Sequence, residues 1–149
     1  MPRHRAKVRG FTLIEIMIAI VIIGVLAALA VPAFQRLKQR SLATLMANDF
    51  RQITASFERS NLEMGRWPPA TAAGVTPANM EGILPSAYLL PTPVGGQDSW
   101  SGPTGILRLS GGPDNDTVMR QVDEIIDDGD LSTGDLSRAG AGSYQLVLH

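Results

Sequence analysis

The 149-residue sequence contains no cysteine. A disulfide framework, a thiol nucleophile and a cysteine-based zinc site are therefore excluded. Histidine is almost as scarce. His4 and His149 stand at the two ends of the chain, which gives a buried catalytic triad or a histidine-rich metal centre nothing to be built from. No nucleophile–base pair or metal triad is evident elsewhere, so enzymatic activity is not expected. Positive charge is missing where nucleic acid would require it. From Gln97 to the end, nine acids face only Arg108, Arg120 and Arg138, and such a surface repels phosphate. Nucleic acid is not an expected partner. The formal net charge of −1 hides this layout, because Arg3, Arg5, Lys7 and Arg9 fill the first ten residues with no acid among them.

What the chain has in excess is apolar sequence near its start. Between Phe11 and Phe34, only Thr12, Glu15, Gly24 and Pro32 are not large aliphatic, aromatic or alanine. As an uninterrupted helix this stretch would be about 36 Å long, enough to cross a hydrocarbon core of roughly 30 Å. The basic decapeptide fits a cytoplasmic flank, although Arg36, Lys38 and Arg40 stand at the other side. A secretory signal peptide cleaved after Ala30 of Ala28-Leu29-Ala30 would share the basic start and the apolar stretch. Two features oppose it. The run from Phe11 to Ala27 is longer than the usual apolar region of about 7–15 residues. Glu15 also lies inside the run, and a charge at the bilayer centre costs on the order of 2.5–3.5 kcal/mol, less when shallow. Such a carboxylate calls for a partner.

Arg9-Gly10-Phe11-Thr12-Leu13-Ile14-Glu15-Ile16-Met17, followed by Ile18 to Pro32, resembles the class III signal of type IV pilins and type II secretion pseudopilins. The resemblance covers roughly residues 9–40. It implies that a prepilin peptidase cuts between Gly10 and Phe11 on the cytoplasmic face and then N-methylates Phe11. Glu15 falls where the family carries its acid. In a helical stack, the α-ammonium of Phe11 on one subunit can meet Glu15 of a neighbour in the apolar core. That pairing offsets the desolvation of both charges, and it sets axial register because a slipped stack leaves a buried charge alone. A side chain at Gly10 would obstruct the peptidase. Gly24 and Pro32 are helix weak points, since Pro32 removes a hydrogen bond and crowds the preceding turn; in the family this segment can kink or melt on packing. The implied partners are the peptidase, copies of the chain and other pilin-like subunits, an inner-membrane assembly platform and membrane lipid. The implied location is the bacterial inner membrane, with one pass, the N-terminus cytoplasmic and the head periplasmic, and then a periplasmic or surface filament.

The helical pattern continues past Pro32. Leu42, Leu45, Met46, Phe50, Ile53, Phe57 and Met64 recur at helical spacing and read as a core seam. Met64-Gly65 and then Trp67-Pro68-Pro69 supply a C-terminal glycine and a proline stop. The helix so defined, Phe11 to Met64, would be about 80 Å long if straight. Beyond it, residues 65–149 hold 13 of the 15 glycines and 8 of the 10 prolines, which predicts a small loop-rich head. Gly65 to about Asn79 reads as loop, and Met80 to Leu90 as a helical turn with a short extended piece. Gly105–Ser110 and Ser143–Leu148 read as strands, the second with Tyr144, Leu146 and Leu148 on one face. Val118, Met119, Val122, Ile125 and Ile126 mark a short amphipathic helix, capped by Asp116 or Thr117 and ended by Gly129. Two or three short strands cannot bury both faces alone, so they need the Leu42–Phe57 stripe. The expected fold is thus α+β and pilin-like, a long N-terminal helix with a membrane half and an amphipathic half, packed on a small antiparallel sheet in a loop-rich head. Its expected divisions are a leader at 1–10, a transmembrane or filament-core helix at 11–34, an amphipathic helix at 35–64 and the head at 65–149.

The head offers one candidate ligand site. Asp127, Asp128, Asp130 and Asp135 crowd a Gly-containing turn, with Asp114 and Asp116 upstream. Hard cations such as calcium take several oxygen ligands, and major pseudopilins hold calcium in a C-terminal loop. The spacing is not that of an EF-hand, however, and the Asp-Pro-Trp-Gly run and acidic C-terminus of those subunits are absent. Solvated, turn-forming acids are the competing explanation. Trp67 and Trp100 read as core anchors. Gly95-Gly96 and Gly111-Gly112 precede no Lys-Ser/Thr, so neither is a phosphate loop. The function implied is a structural subunit of a type II secretion pseudopilus or type IV pilus-like filament for protein secretion. The alternative is a minor pilus subunit acting as an adhesion module.

Overall fold

A computed structural model describes residues 11–149. The chain divides into two units at Leu37/Lys38. Helix α1 (Leu13–Met64) runs through both.

In the first unit every described side chain is exposed, including Leu13 at 79% and Leu29 at 70%. Nothing among the described residues covers this apolar surface. Among the described residues, α1 is the one helix whose length and composition suffice to cross a membrane. The helix is unbroken at Gly24 and Pro32.

In the second unit α1 becomes one wall of a core. Ala43, Met46, Ala47, Phe50, Ile53, Phe57 and Ser60 are buried. The seam is rotated from the one expected: Leu45 is 51% and Met64 39% exposed, and small residues take their places. Ala43 lies beside Gln121, Glu124 and Ile125 of the third helix, and the Ser60 hydroxyl turns to Met64 of its own helix. At the C-terminal end, Gly65 adopts φ 68°, and its N–H donates to the Asn61 carbonyl at 2.7 Å. This left-handed closure is the expected glycine stop.

The opposite wall is a four-stranded antiparallel sheet of β1 (Gln97–Trp100), β2 (Ile106–Ser110), β3 (Leu136–Gly140) and β4 (Ser143–Val147), in the order β1-β2-β4-β3. The register sets Trp100 opposite Leu107, Leu107 opposite Leu146 and Leu109 opposite Tyr144. Strand alternation sends these residues, with Asp98 and Leu136, into the core. Two further helices complete the head, α2 (Ser86–Leu89) and α3 (Asp116–Ile126). Val118, Met119 and Val122 of α3 add to the same core. Trp100 stacks on Phe57 with ring centroids 3.9 Å apart, and its indole N–H donates to the Pro68 carbonyl at 2.9 Å. Trp67 packs on Trp100 at 5.4 Å. The α+β arrangement of a long helix on a small antiparallel sheet is the expected one.

Three details differ from the expectations. β1 and β3 were not expected, because Gln-Asp-Ser-Trp and Leu-Ser-Arg-Ala-Gly lack β-branched residues; their pairing with β2 and β4 overrides weak local preference. The extended piece expected between Met80 and Leu90 is instead a set of turns leading into α2. Asn115, rather than Asp116 or Thr117, occupies the α3 cap position. Its side-chain amide donates to the Val94 carbonyl at 3.0 Å, while Asp116 is engaged elsewhere.

Candidate functional site

Glu15 sits in the first turn of α1, where the helix has free N–H groups and a positive end. Its Oε2 accepts from the Thr12 backbone N–H at 2.8 Å and from the Thr12 hydroxyl at 2.7 Å. The Thr12 Oγ1 in turn accepts from the Glu15 N–H at 3.3 Å. This is a reciprocal capping box, spelled by Thr-x-x-Glu at residues 12–15. The carboxylate is thereby fixed beside Phe11, which is 83% exposed. Gly10 lies outside the described residues.

The acid-rich turn after α3 is mostly occupied with its own backbone. Asp127 Oδ2 accepts from the Asp135 N–H. Asp128 accepts from the Asp130 N–H at 2.8 Å and the Thr133 hydroxyl at 2.7 Å, and these bonds hold its carboxyl below the usual carboxylate range. Asp130 accepts from the Ser132 hydroxyl at 2.7 Å and its N–H at 3.0 Å, with the same downward effect. Asp135 pairs with His149 at 2.8 Å. Glycine is favoured at position 134: its φ is 75°, which strains other side chains, and a Cβ would displace the Asp127 carboxylate.

One residue of this region is not self-satisfied. Asp123, on the inner face of α3, is fully buried, and neither of its carboxylate oxygens meets a hydrogen-bond donor. One oxygen each of Asp123, Asp127 and Asp128 lie within 4.8 Å of one another. Burial first, and then the charges of Asp128, Asp127 and Asp130, push the Asp123 carboxyl up to about 6. Ionised carboxylates only accept, so a proton or a cation must satisfy the group. The convergent set is therefore Asp123, Asp127 and Asp128. Asp130 and Asp135 of the expected set are committed to Ser132 and His149 instead.

The upstream acids serve the fold. Arg138 bridges Asp114 and Asp116, the latter at 2.8 Å, and the Tyr144 hydroxyl donates to Asp116 at 2.8 Å. Burial, reinforced by Asp116, raises the Tyr144 hydroxyl above its ordinary value. A concavity of about 720 Å³ lies at the end of α1 between Trp67, Pro68, Pro69 and Pro103, with Arg66 its one charged residue. It brings no acid and base together.

A family model of the prokaryotic N-terminal methylation motif matches residues 5–31. The type II secretion system core protein G of Pseudomonas aeruginosa is 31% identical over 143 residues, covering 80% of this chain and 99% of that protein. The chain belongs to the type IV pilin and pseudopilin family. Members of this family are structural, non-enzymatic subunits. Its similarity to pilins is more local. The type IV major fimbrial protein FimA of Dichelobacter nodosus is 35% identical over 95 residues, 52% of this chain and 59% of that one. The type IV major pilin protein PilE1 of Neisseria gonorrhoeae is 41% identical over 80 residues, 50% of this chain and 47% of that one. The chain thus spans about half the length of those two pilins. No solved structure matches it.

In this pilin-like chain the methylation motif contains Gly10, Phe11, Glu15 and Gly24 and stops one residue before Pro32. Sequence reasoning passed over two residues. Thr12 carried its signal in the capping-box spacing to Glu15. Asp123 carried its signal in the four-residue step from Met119, which puts both on the buried face of α3.

Proposed function

We propose that this chain is a processed, membrane-stored subunit that polymerises into a type II secretion pseudopilus or related pilus-like filament for protein secretion. The observation that carries this reading is the alignment with core protein G along 99% of that protein, beside a methylation motif at residues 5–31. In this reading residues 1–10 are a cytoplasmic leader, 11–34 cross the inner membrane and later form filament core, 35–64 dock on the head, and 65–149 form a periplasmic head. A prepilin peptidase cleaves after Gly10 and methylates Phe11. The new ammonium of one subunit pairs with Glu15 of the next. The Thr12 cap supports this role, because it loads Oε2 and points the carboxylate at the helix start where a neighbour's terminus would arrive. Gly24 and Pro32 let the intervening turns loosen as subunits pack. The inner-membrane platform and lipid are the remaining partners.

Intact-mass and N-terminal analysis of the chain from native membranes tests this directly. The expected start is N-methylated Phe11. A start at Val31 would mean a soluble secreted head and would overturn the assembly role. Glu15→Ala is expected to be cleaved normally and to yield few filaments; full filament yield would remove the charge-pairing step.

A second reading concerns calcium, and the buried, donorless Asp123 favours it. Asp123, Asp127 and Asp128 would supply oxygens, and carbonyls and water would complete the six to eight that calcium takes. Binding to the folded head alone would raise its thermal midpoint. Calcium is expected to raise the melting temperature of the wild-type chain and not that of Asp123→Asn, with magnesium as the competing ion. No calcium-dependent rise in the wild type would leave Asp123 a protonated core residue.

A further inference from the structure

A second carboxyl is buried in the head, far along the sequence from the acid-rich turn. Asp98 lies between Gln97 and Ser99 on β1, and strand alternation directs it into the core beside Trp100. It is 1% exposed, and its Oδ1 has no hydrogen-bond partner. The groups facing it are unhelpful. From α1 comes Asp49, which shares a helix face with Ile53 and Phe57 at four-residue steps. From α2 comes Tyr88, whose hydroxyl is 3.2 Å from that of Thr71. From β2 comes Leu109, its register partner, while Arg108 points to the exposed face. Among the described residues no ion pair includes Asp98 or Asp49. Burial, and then the Asp49 charge, push the Asp98 carboxyl up to about 7.

The position of this group in the sheet gives its charge a mechanical consequence. β1 is an edge strand with β2 as its one sheet neighbour. Its outer edge is covered by a strap, residues 71–74. The Gly74 N–H donates to the carbonyl of Asp98 itself, and the Thr71 N–H to that of Trp100, both at 2.9 Å. An ionised carboxylate beside Asp49 in an apolar wall must reach water, because the desolvation of an unpaired charge is costly. A central strand could not yield. An edge strand can part from the two strap bonds on its outer side while keeping its ladder to β2.

We propose that Asp98 is a protonation-operated latch on the β1 edge: neutral, it lets β1 and the 71–74 strap close on α1, and ionised, it forces that edge open. The proton comes from solvent and returns to it. The sign follows from linkage. A carboxyl whose folded value is raised favours the closed state at acidic pH, and this contribution is lost as pH rises through about 7. An open β1 edge exposes unpaired N–H and C=O groups, a template for an added strand. Acidity would thus control whether the edge is available.

The test is amide hydrogen exchange on the full chain in detergent micelles, with each rate divided by its intrinsic value at that pH. Between about pH 6 and about pH 8, protection at Thr71 and Gly74 is expected to fall about tenfold in the wild type and to stay flat in Asp98→Asn. Asp49→Asn is expected to shrink the fall and end it at lower pH, since losing the like charge lets Asp98 ionise more easily in the closed edge. Equal protection at both pH values in the wild type, or a pH dependence retained in Asp98→Asn, would overturn the latch. Should Asp98→Asn not fold, a carbon-13 titration of the wild-type Asp98 carboxyl decides: a midpoint near neutrality is expected, and one in the ordinary carboxylate range overturns the proposal.

Discussion

From Leu13 to Leu37, α1 leaves all its side chains exposed, and nearly all are apolar. From Lys38 to Met64 the same helix hides Met46, Phe50, Ile53 and Phe57 and turns Arg51, Glu58 and Arg59 outward. Backbone geometry is shared; the surroundings the two halves require are not. The first half presents an apolar surface far beyond the few hundred Å² that soluble monomers expose, and no other described residue covers it. The second half finds its partner in the head, where Trp100, Leu107, Leu109 and Leu146 meet it. One helix is therefore written for two solvents, and the change occurs within a few residues of Leu37.

The largest expected effect comes from truncating the point where the second half meets the sheet. Phe57 is fully buried and stacked on Trp100, and Phe57→Ala should cost about 3–5 kcal/mol, a large part of the roughly 5–15 kcal/mol that holds a domain folded. Ile20→Ala, in the first half where Ile20 is 60% exposed, should leave head stability unchanged. Tryptophan fluorescence during thermal unfolding of the full chain in micelles reports both, because Trp100 stacks on Phe57 and Trp67 packs on Trp100. Equal destabilisation by the two variants would break the distinction between the halves.

The contrast also marks what could be read from the sequence. The first half was legible because an unbroken apolar run with Glu15 inside it is a local signal, whereas the roles of Gly10 and Phe11 are expectations that rest on the resemblance to the pilin signal. β2, β4 and α3 were legible by periodicity. β1 and β3 were not, since they are held by partners rather than by their own residues. The seam of the second half was found but rotated, because alanine and serine carry no apolar signal strong enough to mark Ala43, Ala47 and Ser60. The acid-rich turn was visible as a cluster. Which acids converge depends on the left-handed Gly134 and on Asp123, which reaches the turn from α3. Asp98 carries no local mark of burial, and only the pairing of β1 with β2 makes it a buried residue.

The smallest expected effect sharpens the same comparison from the outer face of the second half. Arg59 and Glu63 form an exposed i, i+4 pair at 2.8 Å, with side chains 69% and 51% exposed. The Glu63 carboxylate raises the Arg59 guanidinium above its ordinary value, chiefly through their hydrogen bond. Water and salt screen such a pair, and ordering two long side chains offsets its attraction. Alanine at position 59 also keeps helix propensity high. Arg59→Ala is thus expected to shift the thermal midpoint by no more than the scatter of replicate melts, at low and high salt alike. A clear, salt-sensitive loss would show that the outer face of this half contributes to head stability, and that the division between a buried and an idle face of α1 is drawn in the wrong place.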